Sequence, residues 1–204
     1  MAFGFPPISF IGYPVSVPCA GHAGLGFREA RPGDRPAILA HLLALSPEDR
    51  HLRFCGSLSD EAIRAHVESI PDLPGFTLTA LDGPLWDGPF YRAGPVRAFA
   101  ELIVSGKVAE LGISVDLTRR RNGVGTYMVQ TAARLLALRG VERIVALTLT
   151  RNRGMIRLGV SCGAEIETDG SEVVISFSVS RLHNAYLARR ATQVFARETL
   201  RPET

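Results

Sequence analysis

The clearest chemical signal in the chain is a run of six residues, Arg120-Arg121-Asn122-Gly123-Val124-Gly125. Its two cations and first glycine follow an apolar run that ends at Asp116, and its last two residues open an amphipathic run that begins at Val124. A turn that opens a helix directs several backbone N–H groups at one point, and the helix dipole adds partial positive charge there. That arrangement suits a phosphate. It is not a dinucleotide turn, because Met128 occupies the third glycine position, and it is not a P-loop, because no Gly-Lys-Ser/Thr follows. Upstream, Glu110 lies in the apolar run. It reads either as a proton acceptor or as a solvent-facing strand carboxylate.

These residues need elements to position them. Residues 108 to 116 read as a strand, and 96 to 104 as its antiparallel partner across Ser105-Gly106-Lys107. After the glycine turn, Val124, Tyr127, Met128, Thr131, Leu135 and Leu138 recur at helical spacing, and Gly140 closes that helix. Tyr127 fits this buried stripe better than a catalytic role. Residues 143 to 150 form a continuous apolar run, expected to be a central strand covered on both faces. A short helix over 152 to 162, with Asn152 as its N-cap, ends at Gly163. A final hairpin turns at Asp169-Gly170.

Before this block, residues 26 to 34 suggest a strand and a turn, with Asp34 capping a helix that has Pro36 in its first turn. Ser46 and Ser59 each start a further helix, and residues 76 to 81 alternate as a strand does. Residues 83 to 95 hold three prolines and three glycines and read as a loop. The order is β, two or three helices, three strands, α, β, α and two strands. The strand–turn–helix–strand portion is expected as a right-handed crossover in a mixed α/β sheet. Three regions follow. Residues 1–25 are an apolar, Gly/Pro-rich extension, 26–180 the domain, and 181–204 a C-terminal helix. The extension and the helix can each pack on their own domain or on a second copy, as a homodimer.

Composition excludes several classes. The 204 residues, 46% hydrophobic and 21% charged, fit one soluble domain with extensions. A net charge of +3 falls short of a nucleic-acid-binding stripe, and the arginines form two local groups, 119 to 121 and 151, 153 and 157. That grouping suits a small polyanion, and no nucleic-acid partner is expected. Three dispersed cysteines and five histidines without ligand spacing suggest neither a disulfide framework nor a metal site. Cys162 reads as a small buried residue. No run spans a membrane, and prolines at 6, 7, 14 and 18 break any signal-peptide helix. A reducing cytoplasm is the expected compartment.

Arg120, Gly123 and Gly125, together with Glu110-Leu-Gly-Ile-Ser-Val115-Asp116 before them and Asn152, Leu158 and Gly163 after them, resemble the three motifs of GNAT-type N-acetyltransferases in their usual order. Met155, Gly159 and Ala164 depart from the third motif. The segment 45 to 54, followed by 59 to 63, is similar to the acetyltransferase domains of bacterial protein-lysine acetyltransferases. The resemblance covers about residues 26 to 180. It implies the GNAT fold, acetyl-CoA as cosubstrate, no metal, and an amine acceptor, either a protein lysine or a small molecule. It implies that Arg120, Arg121, Asn122, Gly123, Val124, Gly125 and Thr126 hold the pyrophosphate. The pantetheine arm would lie between splayed strands along Ile113, Ser114 and Val115, with Asn152 beside it. A backbone N–H near Ile113 or Val115 would polarise the thioester carbonyl. Glu110 would be the general base, with Glu101 in reserve. The tyrosine that usually protonates the thiolate is replaced by Gly159. That absence leaves a non-catalytic acyl-CoA-binding module as the alternative.

Overall fold

A computed structural model describes residues 25–70, 75–82 and 94–188. The N-terminal extension, most of the loop over 83 to 95 and the end of the C-terminal helix lie outside the described residues. The strands are β1 Leu25–Glu29, β2 Gly75–Asp82, β3 Val96–Ser105, β4 Val108–Val115, β5 Arg143–Leu149, β6 Glu165–Asp169 and β7 Glu172–Ser178. The helices are α1 Arg35–Leu43, α2 Pro47–Phe54, α3 Asp60–Ser69, α4 Val124–Ala137 and α5 Arg153–Ser161, and the chain is helical again from 179 through 188. The strands form one mixed sheet in the order β1-β2-β3-β4-β5-β7-β6, with β4 and β5 parallel and the other pairs antiparallel.

Period-two alternation sends the two sides of β3 and β4 to different helices. Ala98, Ala100, Leu102, Ala109 and Leu111 share a core with Val124, Met128, Ala132 and Leu136 of α4. On the opposite face, Phe99 packs with Ile38 and Leu42 of α1 and with Ile63 and Val67 of α3. Tyr127 is buried, and its ring centroid is 4.4 Å from that of Phe27, so it is a core residue. Leu182 and Tyr186 of the last helical segment are buried in the α4-side core, so this part of the segment packs on its own domain.

Local signals start the helices where the sequence predicts. Ser46 Oγ accepts from Asp49 N–H at 3.1 Å, and Ser59 Oγ accepts from Ala62 N–H at 3.2 Å. Asp34 differs. Its side chain makes no cap on α1. It is buried, and it accepts from Arg28 at 2.5 and 2.7 Å and from Arg31 N–H at 2.8 Å. A guanidinium fork six residues upstream outcompetes the backbone donors, because charge-assisted bidentate pairing is the stronger interaction. The double cover expected for β5 is also absent. Ile144, Ala146 and Thr148 are buried, whereas Leu147 on the other side is 46% exposed. Among the described residues no helix is long and apolar enough to cross a membrane.

Candidate active site

β4 and β5 are paired only from Val108/Arg143 to Glu110/Val145. Beyond that point β4 continues to Val115 and β5 to Leu149 without pairing to each other, so a gap opens between them. Asp116 N–H donates to Arg97 O at 2.8 Å, which fixes the phase of the strand. Backbone groups alternate along a strand, so those of Ser114 and Gly112 face β3, and those of Val115 and Ile113 face the gap. The Ser114 hydroxyl is occupied elsewhere, 2.9 Å from His41 Nε2 in a buried contact. Of the three residues expected along the pantetheine arm, Ile113 and Val115 therefore turn backbone N–H groups to the gap.

At the open end, Asp116 and the residues after it build the turn. Asp116 Oδ1 accepts from Thr118 N–H at 2.8 Å, and Arg97 bridges Asp116 and Asp82. Burial raises the Asp116 pKa, but its bonds to Thr118 and Arg97 outweigh burial and hold it below the usual carboxylate value. Arg119 pairs with Asp82 at 3.0 Å. Arg120 Nε donates to Val115 O at 3.0 Å, and Arg120 Nη2 pairs with Asp49 at 2.9 Å. Arg121 (φ 64) and Gly123 (φ 77) take left-handed backbone, and Arg121, Asn122 and Gly123 are all exposed. Left-handed φ is cheap for Gly123 and costs about 1 kcal/mol or more at Arg121. Tyr127 N–H is bonded to Gly123 O at 3.0 Å, so the N–H groups of Val124, Gly125 and Thr126 precede the helical ladder of α4. A methyl group at Gly125 would make ordinary contacts at 3.5 Å with Leu158, so this glycine is not demanded by its protein neighbours.

α5 closes the other side. Asn152 Oδ1 accepts from Met155 N–H at 3.0 Å, the predicted cap, and Asn152 Nδ2 donates to Thr148 Oγ1 at 2.8 Å. Thr126 Oγ1 and Ser161 Oγ, 3.4 Å apart, join the start of α4 to the end of α5. Gly159 faces inward. A Cβ there would lie 2.8 Å from Ile175 Cγ2, so a side chain at the position that usually holds the tyrosine would displace Ile175. Cys162 is half-buried and in no disulfide.

Glu110 stands where pairing between β4 and β5 ends, exposed, on the sheet face that carries α1 to α3. Glu101, the reserve base, is unsuited to that role. It is buried, and its Oε2 pairs with Arg53 and accepts from His66 Nε2 at 2.9 Å. Burial alone would raise its pKa, but the His66 bond and the Arg53 charge outweigh burial and lower it. Arg53 lies in the segment 45 to 54, but nothing in the sequence links it or His66 to Glu101. They are brought to Glu101 only by tertiary packing. A separate cavity of about 380 Å³, lined by Arg31, Ile38, Val67, Phe76 and Glu101 among others, includes none of the gap residues. Among the described residues no three His, Cys, Asp or Glu side chains converge as metal ligands would.

Residues 75–164, which hold the parted parallel pair and the glycine turn at the α4 N-terminus, match the acetyltransferase (GNAT) family model. The GNAT domain of S. lividans PAT is similar in fold, with 17% identity and a TM-score of 0.61 over 76% of this chain and 90% of that one. A GNAT-family acetyltransferase from Streptococcus pneumoniae gives 18% identity and 0.54 over 74% and 96%. Spermidine N-acetyltransferase from Vibrio cholerae, in complex with CoA and spermine, gives 14% identity and 0.58 over 78% and 98%. No curated protein matches the chain in sequence.

Proposed function

We propose that this protein transfers an acetyl group from acetyl-CoA to a primary amine, on a protein lysine or a small molecule, by direct attack within a ternary complex. The parting of β4 and β5 immediately after Glu110 carries this reading, because it puts a carboxylate and unpaired strand N–H groups at the closed end of one slot. The α4 N-terminus and exposed Arg121 fit a pyrophosphate at the open end. Glu110 takes a proton from the acceptor ammonium, directly or through a water. The freed amine attacks the thioester carbonyl, and the Ile113 N–H donates to the oxygen that gains charge. The C–S bond then breaks. The nitrogen, now bonded to the acyl carbon, gives up its extra proton to solvent, and the thiolate, of ordinary basicity with a pKa of about 8.5, takes one from the same water, so Gly159 need not be replaced by another acid. The structures of PAT and of spermidine N-acetyltransferase support an amine acceptor through their shared fold.

Glu110→Gln tests the assignment. Acetyl-CoA binding by calorimetry stays near wild type, while thiol release across a panel of amines and lysine peptides falls roughly 100-fold or more. Unchanged turnover in the variant removes Glu110 from the mechanism. The crowded Gly159 site favours a second reading, a non-catalytic acyl-CoA-binding module. Tight acetyl-CoA binding by the wild type with no thiol release for any amine would decide for it.

A further inference from the structure

α2 forms part of the wall beside Glu110, yet none of its residues is fully buried. Polar contacts hold it, beside Phe54, which packs on the core under α1 and α3. Arg50 donates to Leu43 O and Leu45 O and pairs with Asp60, Asp49 pairs with Arg120, and Arg53 reaches down to the sheet. Arg53 and Glu101 are 8% and 7% exposed at their side chains. Glu101 is the register partner of Gly112, and a Cβ on Gly112 would lie 2.2 Å from Arg53 Nη1. The guanidinium therefore occupies the side-chain space of Gly112. That position lies two residues beyond Glu110 on the same face and immediately before Ile113. Phe54 completes the cluster, with the Arg53 guanidinium 4.9 Å from its ring centroid and His66 edge-on at 5.4 Å. Arg53 Nε and Glu101 Oε1 are buried without hydrogen-bond partners. A buried pair with unmet bonds is a weak device for stability alone.

We propose that the Arg53–Glu101 pair is a positioning device for acetyl transfer, fixing both the α2 wall over Gly112 and the local charge against which Glu110 accepts its proton. The inference rests on Glu110 being the base. Geometry puts Arg53 beside it, and the Glu110 charge is among the influences that raise the Arg53 pKa against a larger lowering by burial. The other charged or titratable groups around Glu110 are few. His66 stands behind Glu101, Cys55 caps α2 with its Sγ 3.8 Å from Leu147 O, Arg143 shares the Glu110 face on β5, and Glu172 acts on Cys55 from β7. Glu101 cancels the Arg53 charge. Removing either partner alone therefore leaves an uncompensated charge of opposite sign next to the base.

The acid limb of the kcat/KM pH profile reads this directly. Arg53→Gln leaves Glu101 unbalanced and moves the limb up by about one pH unit, and Glu101→Gln leaves Arg53 unbalanced and moves it down by about the same amount. The double variant Arg53→Gln/Glu101→Gln returns the limb to near the wild-type position while kcat stays reduced, because the wall is no longer held. A purely structural pair would lower thermal stability in all three variants without opposite displacements. An unmoved limb in all of them overturns the proposal even if stability falls. Glu110→Gln run in parallel separates the two ideas. Loss of the limb there, with no movement in the other variants, sinks only the positioning role. Persistence of the limb sinks the assignment of the base, and the positioning role with it.

Discussion

Mild acid should loosen α1 from β4 before the carboxylates titrate. His41 is 7% exposed, and its Nε2 lies 2.9 Å from Ser114 Oγ. Burial lowers its pKa from 6.5 to about 4, and the smaller raising effects of Asp116 and of the bond to Val96 do not restore it. The unfolded chain binds a proton near 6.5, whereas the native state declines it until about 4. Stability from this site is therefore complete above 6.5, falls as the pH drops, and is gone below about 4. Each pH unit between the two values is worth about 1.4 kcal/mol, so the whole effect is roughly 3 kcal/mol, of which about 2 kcal/mol is lost between pH 7 and pH 5. Urea unfolding followed by circular dichroism, on the wild type and on His41→Gln at both pH values, isolates it. Glutamine keeps a polar partner for Ser114 and does not titrate. The wild type should lose about 2 kcal/mol more than the variant over this interval. An equal loss in both proteins would refute the argument and assign the acid sensitivity to other groups. The effect reaches the site as well, because Ser114 lies between Ile113 and Val115.

Two further outcomes follow from α5. Gly159→Ala brings a methyl group against Ile175 Cγ2, where the Cβ would lie at 2.8 Å, and should cost about 1–3 kcal/mol of stability, seen as a lower thermal midpoint. An unchanged midpoint would show that α5 shifts freely and that room for a tyrosine exists. Asn152→Ala removes the cap on Met155 and the bond to Thr148 and should cost about 1–2 kcal/mol, whereas Asn152→Ser retains most of the cap. If serine weakens acetyl-CoA binding while stability holds, the Asn152 side chain also contacts the CoA arm, as the family resemblance implies. If binding follows stability, its role ends at the cap.

Local signals made much of the architecture readable. Ser46, Ser59 and Asn152 cap helices by bonds that span three residues, and such short-range chemistry is visible in a string of letters. The glycine turn that opens α4 and the strand that carries Glu110 were readable for the same reason, since their spacing is set within one strand and one turn. Asp34 shows the limit. It has the sequence context of a cap, but it is captured by Arg28, and the competition between backbone donors and a guanidinium is settled by the position of β1. The apolar run of β5 fits a strand covered on both faces equally well, and only the parting from β4 shows that Leu147 is left half uncovered. The Arg53–Glu101–His66 cluster was out of reach. Its members are 48 and 35 residues apart, and their meeting depends on a register that sets Glu101 opposite Gly112. The reason for a glycine at 112 is invisible until that register is known. Its space is filled by a side chain from another helix.

The arginine run changes meaning in the same way. Three consecutive cations beside a glycine turn suggest that charge holds the phosphate. In the structure, Arg119 is spent on Asp82, and Arg120 on Asp49 and the Val115 carbonyl. A carboxylate already beside a guanidinium cancels most of its field at a distance, so these two residues serve chiefly to hold the turn in place. Arg121 is left exposed, and among the described residues no ion pair occupies it. Under the proposed function, the α4 N–H groups would therefore hold the anion together with Arg121. Arg120 also joins the turn to α2 through Asp49, and the far end of α2 carries Arg53 against Gly112. The two ends of the gap thus meet on one eight-residue helix in which no residue is fully buried. What keeps that helix in register is the packing of Phe54 together with a set of ion pairs, and ion pairs can be exchanged for a ligand's phosphate more readily than a packed core can be reopened.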